Sequence, residues 1–254
     1  IKAKTSTQFT ISDYMDYYGE KYYQRKFQGE SCLDYLKWLN TAEKFNCDQQ
    51  YYDFSYLNDE VLLDSQKDMH LFREEQQRLL GSQLDIPSEN IEFIDHHTCH
   101  AYYAYYGSPF RGGDCIVLTL DGWGDGRNQT VWKASDGKFE LLADSSTNDL
   151  GRIYKLTTLI LAMRPDEHEF KVMGLAPYAK ASHVERAMRP LENLCEIRGM
   201  RILEKDRPED LYAYLKEEWK DQRFDNIAGA VQTYTEQIAC ELVKNIAKTT
   251  KSIL

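Results

Sequence analysis

Long apolar runs are absent from the sequence, and so is any recognisable signal peptide. The longer apolar stretches, such as residues 159–163, fall far short of the roughly 20 residues that a membrane-spanning helix needs. These absences predict a cytoplasmic protein with no membrane partner.

Closely paired cysteines and an excess of positive charge are also absent. The six cysteines stand singly, and no CxxC pair indicates a zinc ribbon or a disulfide framework, so we expect reduced thiols. Lys and Arg number 31 against 41 Asp and Glu, which gives a formal net charge of −10. Because an acidic surface repels phosphate backbones, no nucleic-acid partner is expected.

Both ends lack the signals of a complete chain. There is no initiator Met, and residues 251–254 close a strongly helical pattern without a stop signal. We therefore expect an internal fragment of a longer protein.

The residues that are present can build an α/β core. Hydrophobic residues make up 42% of the 254 residues. Residues 1–90 are predicted to be mostly helical or irregular, because apolar residues recur three and four apart within 27–45 and 61–84. Within 69–84 this spacing predicts an amphipathic helix with an apolar side of Leu71, Phe72, Leu79 and Leu80.

The middle of the chain alternates β-rich runs with turn signals. Strands are predicted at 91–94, 115–120, 129–134 and 139–143. A helix ending at Tyr106 precedes the last three strands, a glycine-rich turn at 121–126 joins two of them, and a helix at 150–163 follows. Three antiparallel strands and then a helix is how each half of an actin-like or sugar-kinase-like fold begins.

Two more helices are predicted towards the end of the chain. Residues 206–210 form a helix start that leads into 211–219, and a final helix begins near Asp225. Small residues at 228–230 would allow this final helix to pack closely against a neighbour. Its buried stripe is predicted to hold Ile227, Val231, Tyr234, Ile238, Leu242 and Ile246.

Three histidines, His96, His97 and His100, fall within five residues. His96 and His100 are four apart, so on a helix their rings point the same way and can bind one ion. No Glu follows His96, so the metalloprotease pattern is absent and the remaining ligands must come from elsewhere. The alternative is a helix start whose histidines are exposed or satisfied by neighbours.

Asp121 ends a buried strand inside the run Asp-Gly-Trp-Gly-Asp-Gly. A carboxylate there is fixed on a rigid element, and the glycines let backbone amides approach phosphate oxygens. The alternative is an ordinary hairpin turn, because Asp-Gly is a common turn signal. Residues 169–178, in which Glu169 and Lys171 flank an aromatic residue, are by themselves equally typical of a solvated ion pair entering a loop.

Together these segments resemble the O-carbamoyltransferases of the nodulation and cephamycin type. Residues 96–101 with 108–110 are similar to that family's HHxxHA…SPF segment, and 121–125 to its DGxGD hairpin. Residues 169–178 are similar to its ExKVMGLAPY segment, and 226–236 to the IAxSVQxxTE start of its central helix. All four occur in the family's order.

The resemblance implies an α/β fold: an actin-like, ribonuclease-H-like domain, incomplete here and carrying a helical N-terminal insertion. Residues 1–110 would be the end of the first lobe and 111–254 the start of the second. Such enzymes make carbamoyl-adenylate from carbamoyl phosphate and ATP in a C-terminal domain. The actin-like domain then passes the carbamoyl group to a hydroxyl of a sugar or natural product. An oligomer is compatible with this organisation.

The resemblance also implies a role for each site residue. A divalent metal, typically Fe²⁺, would be held by His96, His100, Asp121 and a later Asp. His97 would be catalytic, either behind the ligands or facing the substrate. Bound ATP or carbamoyl-adenylate would be lined by Gly122, Gly124, Asp125, Gly151, Glu169, Lys171 and Gly174.

One departure and two alternatives accompany this interpretation. Ala179 stands where the family usually has Gly, which affects only the freedom of that loop. The family's first strands would precede residue 1, and its last metal ligand and adenylate-forming domain would follow residue 254.

Another enzyme of the same fold, such as a kinase or a threonylcarbamoyl transferase, is disfavoured by the histidine pair and by residues 171–178. A non-catalytic binding module is the other alternative.

Overall fold

The computed structural model describes residues 10–35, 55–56, 58, 60–61 and 65–251. By its internal contacts the chain divides into two units, Ile1–Phe93 and Ile94–Leu254. The HHxxH segment thus shares a unit with the strands that follow it. The predicted lobe boundary at residue 110 concerns a larger fold and stays a prediction.

The first unit is helical where it is described, as predicted. Its helices are α1 (Ile11–Tyr18), α2 (Tyr23–Phe27) and α3 (Ser65–Leu84), followed by a 3-10 turn at Ser88–Asn90. Leu71 and Phe72 of α3 pack against the buried Val61, which confirms part of the predicted apolar side, although Leu80 is 38% exposed. Residues 36–45 of the predicted helical pattern at 27–45, and Cys47, lie outside the described residues.

The predicted strand at 91–94 is wrong. The backbone is extended at Ile91, but no β-ladder forms there among the described residues. A strand of this length needs a partner and a buried face, and Ile94 is 63% exposed.

The second unit opens with α4 (His96–Tyr106) and a three-stranded antiparallel sheet, which confirms the central prediction. Its strands are β1 (Cys115–Gly124), β2 (Arg127–Ser135) and β3 (Lys138–Ser145), in the order β1-β2-β3. Regular pairing of β1 with β2 ends at Leu120, and pairing resumes only at Gly124 after a register shift. Asp121 is therefore the first residue beyond the regular ladder.

The turn between β1 and β2 is shorter than predicted. β1 runs through Gly124, and only Asp125 and Gly126 form the turn, with φ angles of 51° and 82°. Two positive φ angles are characteristic of the tight turn whose twist matches that of antiparallel strands. The glycine-rich run thus lies mostly on the strand rather than in a wide loop.

Helices and a small hairpin complete this unit. They are α5 (Leu150–Ile160), α6 (Glu169–Leu175), α7 (Ala181–Met188), β4 (Cys195–Arg198), β5 (Arg201–Glu204), α8 (Leu211–Glu218) and α9 (Phe224–Thr250), with 3-10 turns at Ala176–Tyr178 and Arg189–Leu191. α5 ends earlier than predicted, because Ala162 just beyond it adopts a positive φ of 56°. The β4–β5 hairpin was not predicted.

The final helix packs as its sequence predicts. Its stripe is buried at Ile227, Val231, Tyr234, Leu242 and Ile246, whereas Ile238 is half-buried. A Cβ at Gly229 would lie 2.5 Å from the Cβ of Ala179, so the predicted close approach is confirmed.

The core beneath α4 determines which way its histidines face. Ala101 and Tyr105 pack on Val117 and Ala134 of the sheet, and His97 lies four residues before Ala101, on the same buried side. His96 and His100 therefore face the edge of this contact. The cysteines of the described residues are free thiols, and no helix among these residues is both long and apolar enough to cross a membrane.

Candidate metal centre

Two carboxylates fix the first turn of α4. Asp95 caps the helix by accepting a hydrogen bond from the Thr98 amide at 2.9 Å. The Asp125 carboxylate, from the β1–β2 turn, accepts one from the His96 amide at 2.8 Å. Amides at a helix start have no partner within the helix, so acidic side chains stabilise it there. The hairpin turn is thereby attached directly to the residue that begins α4.

His96, His100 and Asp121 converge, as the sequence predicts. The Nε2 atom of His96 lies 2.5 Å from Oδ2 of Asp121 and 3.0 Å from Nε2 of His100. The Nε2 atom of His100 is 3.6 Å from the same carboxylate oxygen. Three ligand atoms from a helix and a strand thus surround one point, with side chains that are only half-buried or exposed.

The separations between these atoms suit a shared ion. Metal–ligand bonds of about 2.1 Å place neighbouring donors about 3.0–3.4 Å apart. The two distances that involve His100 are close to this range, whereas the 2.5 Å contact between His96 and Asp121 is shorter and would have to open slightly. Two imidazoles and one carboxylate are a donor set for iron, zinc and related divalent ions.

Asp121 is held in its ionised form. Burial raises the pKa of this carboxyl, but the hydrogen bonds from His96 and from the Gly122 amide, together with the two histidine charges, outweigh burial and lower the pKa below its usual value. The Gly122 amide donates to Oδ1 at 2.6 Å, which leaves Oδ2 facing the histidines. Asp121 is therefore ready to serve as an anionic ligand.

Glycines make room for this arrangement. A Cβ at Gly124 would lie 2.1 Å from Cδ2 of His96, inside the imidazole ring's own space. A Cβ at Gly151, in the first turn of α5, would lie 2.7 Å from the Cα of Gly122. The start of α5 thus approaches the backbone beside Asp121 as closely as a glycine permits.

His97 lies behind the cluster rather than in it. Its ring is completely buried, and Nδ1 is 2.7 Å from the hydroxyl of Thr119 on β1. Burial lowers the pKa of His97, the neighbouring His96 lowers it further, and the Arg127 backbone opposes them. The net shift is downward, so the ring is neutral near pH 7. Its predicted catalytic role stays a prediction.

The remaining predicted site residues are spread over several elements. Asp125 is engaged by the His96 amide, and Gly122 has open space where a side chain would be. Glu169 accepts a hydrogen bond from the Asp166 amide, and the Lys171 ammonium group lies over the Phe170 ring. Among the described residues, no hydrogen bond joins Glu169, Lys171 or Gly174 to the histidine cluster. Their predicted role at the adenylate stays a prediction.

Sequence reasoning missed the residues that hold the cluster in place. Thr119 and Thr130 are directly opposite each other in the β1–β2 register, and their hydroxyl oxygens are 2.6 Å apart. The apolar run at 115–120 predicts a buried strand, but only the strand register reveals that Thr119 lies opposite Thr130. Asp125 was predicted as a ligand-lining residue, whereas its bond to α4 depends on how the helix docks.

The fold and the cluster define a mixed α/β protein with antiparallel sheets and a histidine–carboxylate centre at the end of a strand. Its sequence matches the protein family described as Carbamoyltransferase N-terminus over residues 15–253. Since this match covers most of the chain, the chain belongs to the carbamoyltransferase family, as its motifs indicated.

Individual relatives agree with this assignment. The chain is 31% identical over 177 residues to an uncharacterised protein of Methanocaldococcus jannaschii, covering 60% of this chain and 28% of that protein. It is 33% identical over 123 residues to the nodulation protein NolNO of Sinorhizobium fredii, covering 48% of this chain and 17% of NolNO. The chain thus spans well under two thirds of the length of these relatives.

Proposed function

We propose that this chain is the metal-binding part of an O-carbamoyltransferase. The reaction transfers a carbamoyl group from carbamoyl-adenylate to a hydroxyl of a sugar or another natural product. The observation that carries this proposal is the convergence of His96, His100 and Asp121, in a chain of the carbamoyltransferase family. The proposal includes an actin-like fold for the complete domain, supported by the three antiparallel strands followed by α5.

The three side chains would hold one divalent ion, which we propose to be Fe²⁺. Their donor types and separations fit such an ion, and the lowered pKa of Asp121 keeps its carboxylate charged. The ion would supply Lewis acidity that polarises the carbonyl group of the mixed anhydride. A fourth protein ligand, a later Asp, is implied by the resemblance.

The chain's own backbone is proposed to receive the adenylate. Gly122 has open space around its Cα, and Gly151 brings the amides of the first turn of α5 beside it. Amides at a helix start favour an anion such as the adenylate phosphate. Gly124 and Asp125 keep the His96 ring and the start of α4 in place beside this surface. Glu169, Lys171 and Gly174 are proposed to contact the adenylate from α6.

In the proposed reaction the hydroxyl oxygen of the acceptor bonds to the carbamoyl carbon. The bond from that carbon to the adenylate oxygen breaks, adenosine monophosphate leaves with the electron pair, and the hydroxyl proton passes to solvent. The adenylate itself would be made elsewhere in the complete protein: water would release phosphate from carbamoyl phosphate, and an oxygen of the resulting carbamate would bond to the α-phosphorus of ATP and displace pyrophosphate.

The test uses the complete protein that contains this chain. It is loaded with Fe²⁺ and incubated with carbamoyl phosphate, ATP and a panel of sugars and hydroxylated natural products. We expect pyrophosphate, adenosine monophosphate and an acceptor whose mass increases by one carbamoyl group. Phosphorylation of an acceptor would instead indicate a kinase and contradict the proposal.

Two variants connect this activity to the cluster. His100→Ala and Asp121→Asn should lower carbamoyl transfer more than about 100-fold, since changes outside the ligand set alone cost about 10–100-fold at metal sites. The exposed His183 of α7 supplies a control, and His183→Ala should transfer at the wild-type rate. Equal activity in all three variants would show that carbamoyl transfer does not depend on the cluster.

A further inference from the structure

A chain of buried hydrogen bonds runs from the middle of the sheet to the helix that carries the two histidines. The indole nitrogen of Trp132 donates to the hydroxyl of Thr130 at 2.7 Å. The hydroxyls of Thr130 and Thr119 are 2.6 Å apart, and Thr119 is 2.7 Å from Nδ1 of His97. Thr130 and His97 are completely buried and Thr119 nearly so, so water cannot replace the two bonds that join these three side chains.

The direction of the bonds follows from what each group can donate. An indole N–H only donates, so Thr130 accepts from Trp132 and keeps its own proton. If Thr130 also accepted from Thr119, the Thr130 hydroxyl proton would have no acceptor among the described residues. A buried hydroxyl proton without a partner is costly, so Thr130 donates to Thr119 and Thr119 donates to Nδ1 of His97.

This direction fixes the tautomer of His97. Since Nδ1 accepts, the ring proton of the neutral imidazole lies on Nε2. That atom is buried and has no hydrogen-bond partner among the described residues, so the tautomer is set from the Thr119 side of the ring.

The last bond of this series joins two residues, His97 and Thr119, that lie close in sequence to the proposed ligands. His97 directly follows His96 on α4, and Thr119 comes two residues before Asp121 on β1. The bond between His97 and Thr119 therefore ties the helix that carries two ligands to the strand that carries the third. It crosses the gap between these elements one residue from His96 and two residues from Asp121.

We propose that His97 is a positioning residue, and that its bond to Thr119 sets the placement of α4 on β1 at which His96, His100 and Asp121 meet. The inference rests on the proposed metal centre and assigns His97 no contact with the substrate. In this role the ring holds a fixed Nε2–H tautomer and acts only as an acceptor towards the sheet.

Losing this bond should shift α4 rather than unfold it. α4 is also held by Asp95, by the Asp125 carboxylate and by the packing of Ala101 and Tyr105 on the sheet. Removing one hydroxyl at position 119 leaves these contacts intact. The cluster, whose atoms must agree within a few tenths of an ångström to bind an ion well, responds to a small displacement.

The experiment measures metal affinity in the complete protein. Thr119→Val removes the hydroxyl at nearly constant shape and should weaken Fe²⁺ and Co²⁺ binding by about tenfold or more, while changing the visible spectrum of bound Co²⁺. Thr119→Ser keeps the hydroxyl and should bind as wild type. His97→Leu should resemble Thr119→Val, and His97→Asn, whose side-chain oxygen can accept in place of Nδ1, should recover part of the affinity.

The outcomes separate this inference from the proposed function. If the wild-type protein binds no metal, the proposed centre itself fails. If it binds metal and Thr119→Val binds equally well, or Thr119→Ser loses as much as Thr119→Val, the positioning role is overturned. Nitrogen NMR of labelled histidine gives a readout that needs no variant: an unprotonated Nδ1 in His97 supports the inference, and a protonated Nδ1 contradicts it.

Discussion

At the scale of single residues, the missing side chain of Gly124 leaves the space that the His96 ring occupies. The position lies on β1 just before the turn, and the nearest ring atom would be 2.1 Å from an added Cβ. A clash of that size cannot be absorbed by a rigid imidazole that already contacts Asp121 and His100. The ring, and with it one of the three ligand atoms, would have to move.

We predict that Gly124→Ala weakens Fe²⁺ binding by at least about tenfold. Titration calorimetry on the complete protein, with circular dichroism to check its folding, measures this. Gly122→Ala is the matched control for metal binding, because a Cβ there meets nothing within 4 Å. Equal affinities for the two variants would show that His96 does not need the space at Gly124.

The sequence predicted that His96, His100 and Asp121 converge, but not which neighbouring residues hold them in place. The four-residue spacing of His96 and His100 and the strand-end position of Asp121 were both readable, because helix and strand periodicity determine them. The bond between Asp125 and His96, which are 29 residues apart, was not. It depends on the distance between a turn and a helix start, which no local pattern encodes.

At the scale of elements, two buried asparagines join β2 to the segment that leads into α5. The Asn128 side chain donates to the carbonyls of Ser146 and Asn148 and accepts from the Asn148 amide, at 3.2, 2.6 and 3.0 Å. Asn148 in turn accepts from the Leu150 amide at the start of α5. This junction places α5, and therefore Gly151, against the backbone beside Asp121.

Asn128→Ala should lower the free energy of unfolding by about 2–3 kcal/mol, since each buried hydrogen bond contributes about 1 kcal/mol and the freed backbone groups stay buried. Chemical denaturation followed by tryptophan fluorescence measures the change. Asn193→Ala, which removes only an exposed contact with Lys205, should stay within about 0.5 kcal/mol of wild type. A similar small change at Asn128 would show that the junction does not hold α5.

Among the elements, long periodic segments were predicted well and short ones poorly. The stripe of α9 and the three strands from 115 to 143 repeat their pattern often enough to be identified. The β4–β5 hairpin has strands of four residues each, too short to show a period. It is fixed instead by tertiary bonds, such as that from the Ile202 amide to the Gln129 side chain. The strand predicted at 91–94 was wrong for a different reason: three of its four residues are apolar, but among the described residues no strand pairs with it.

At the scale of the whole molecule, the family assignment and the histidine–carboxylate cluster both favour the function proposed above. The carbamoyltransferase family match extends over residues 15–253, and the motifs that carry the resemblance supply all three side chains that converge. The start of α4, the β1–β2 turn and the start of α5 meet beside these three side chains. Each of these elements is held there by its own hydrogen bonds. We expect these attachments to hold His96, His100 and Asp121 around one metal ion.

The most direct test of that claim is anomalous X-ray diffraction at the iron absorption edge, from crystals of the complete protein loaded with Fe²⁺. The account predicts one strong anomalous peak about 2.0–2.2 Å from Nε2 of His96, Nε2 of His100 and Oδ2 of Asp121, and its loss in Asp121→Asn crystals. A fully loaded protein with no peak between these three atoms, or with its peak elsewhere, would contradict the account.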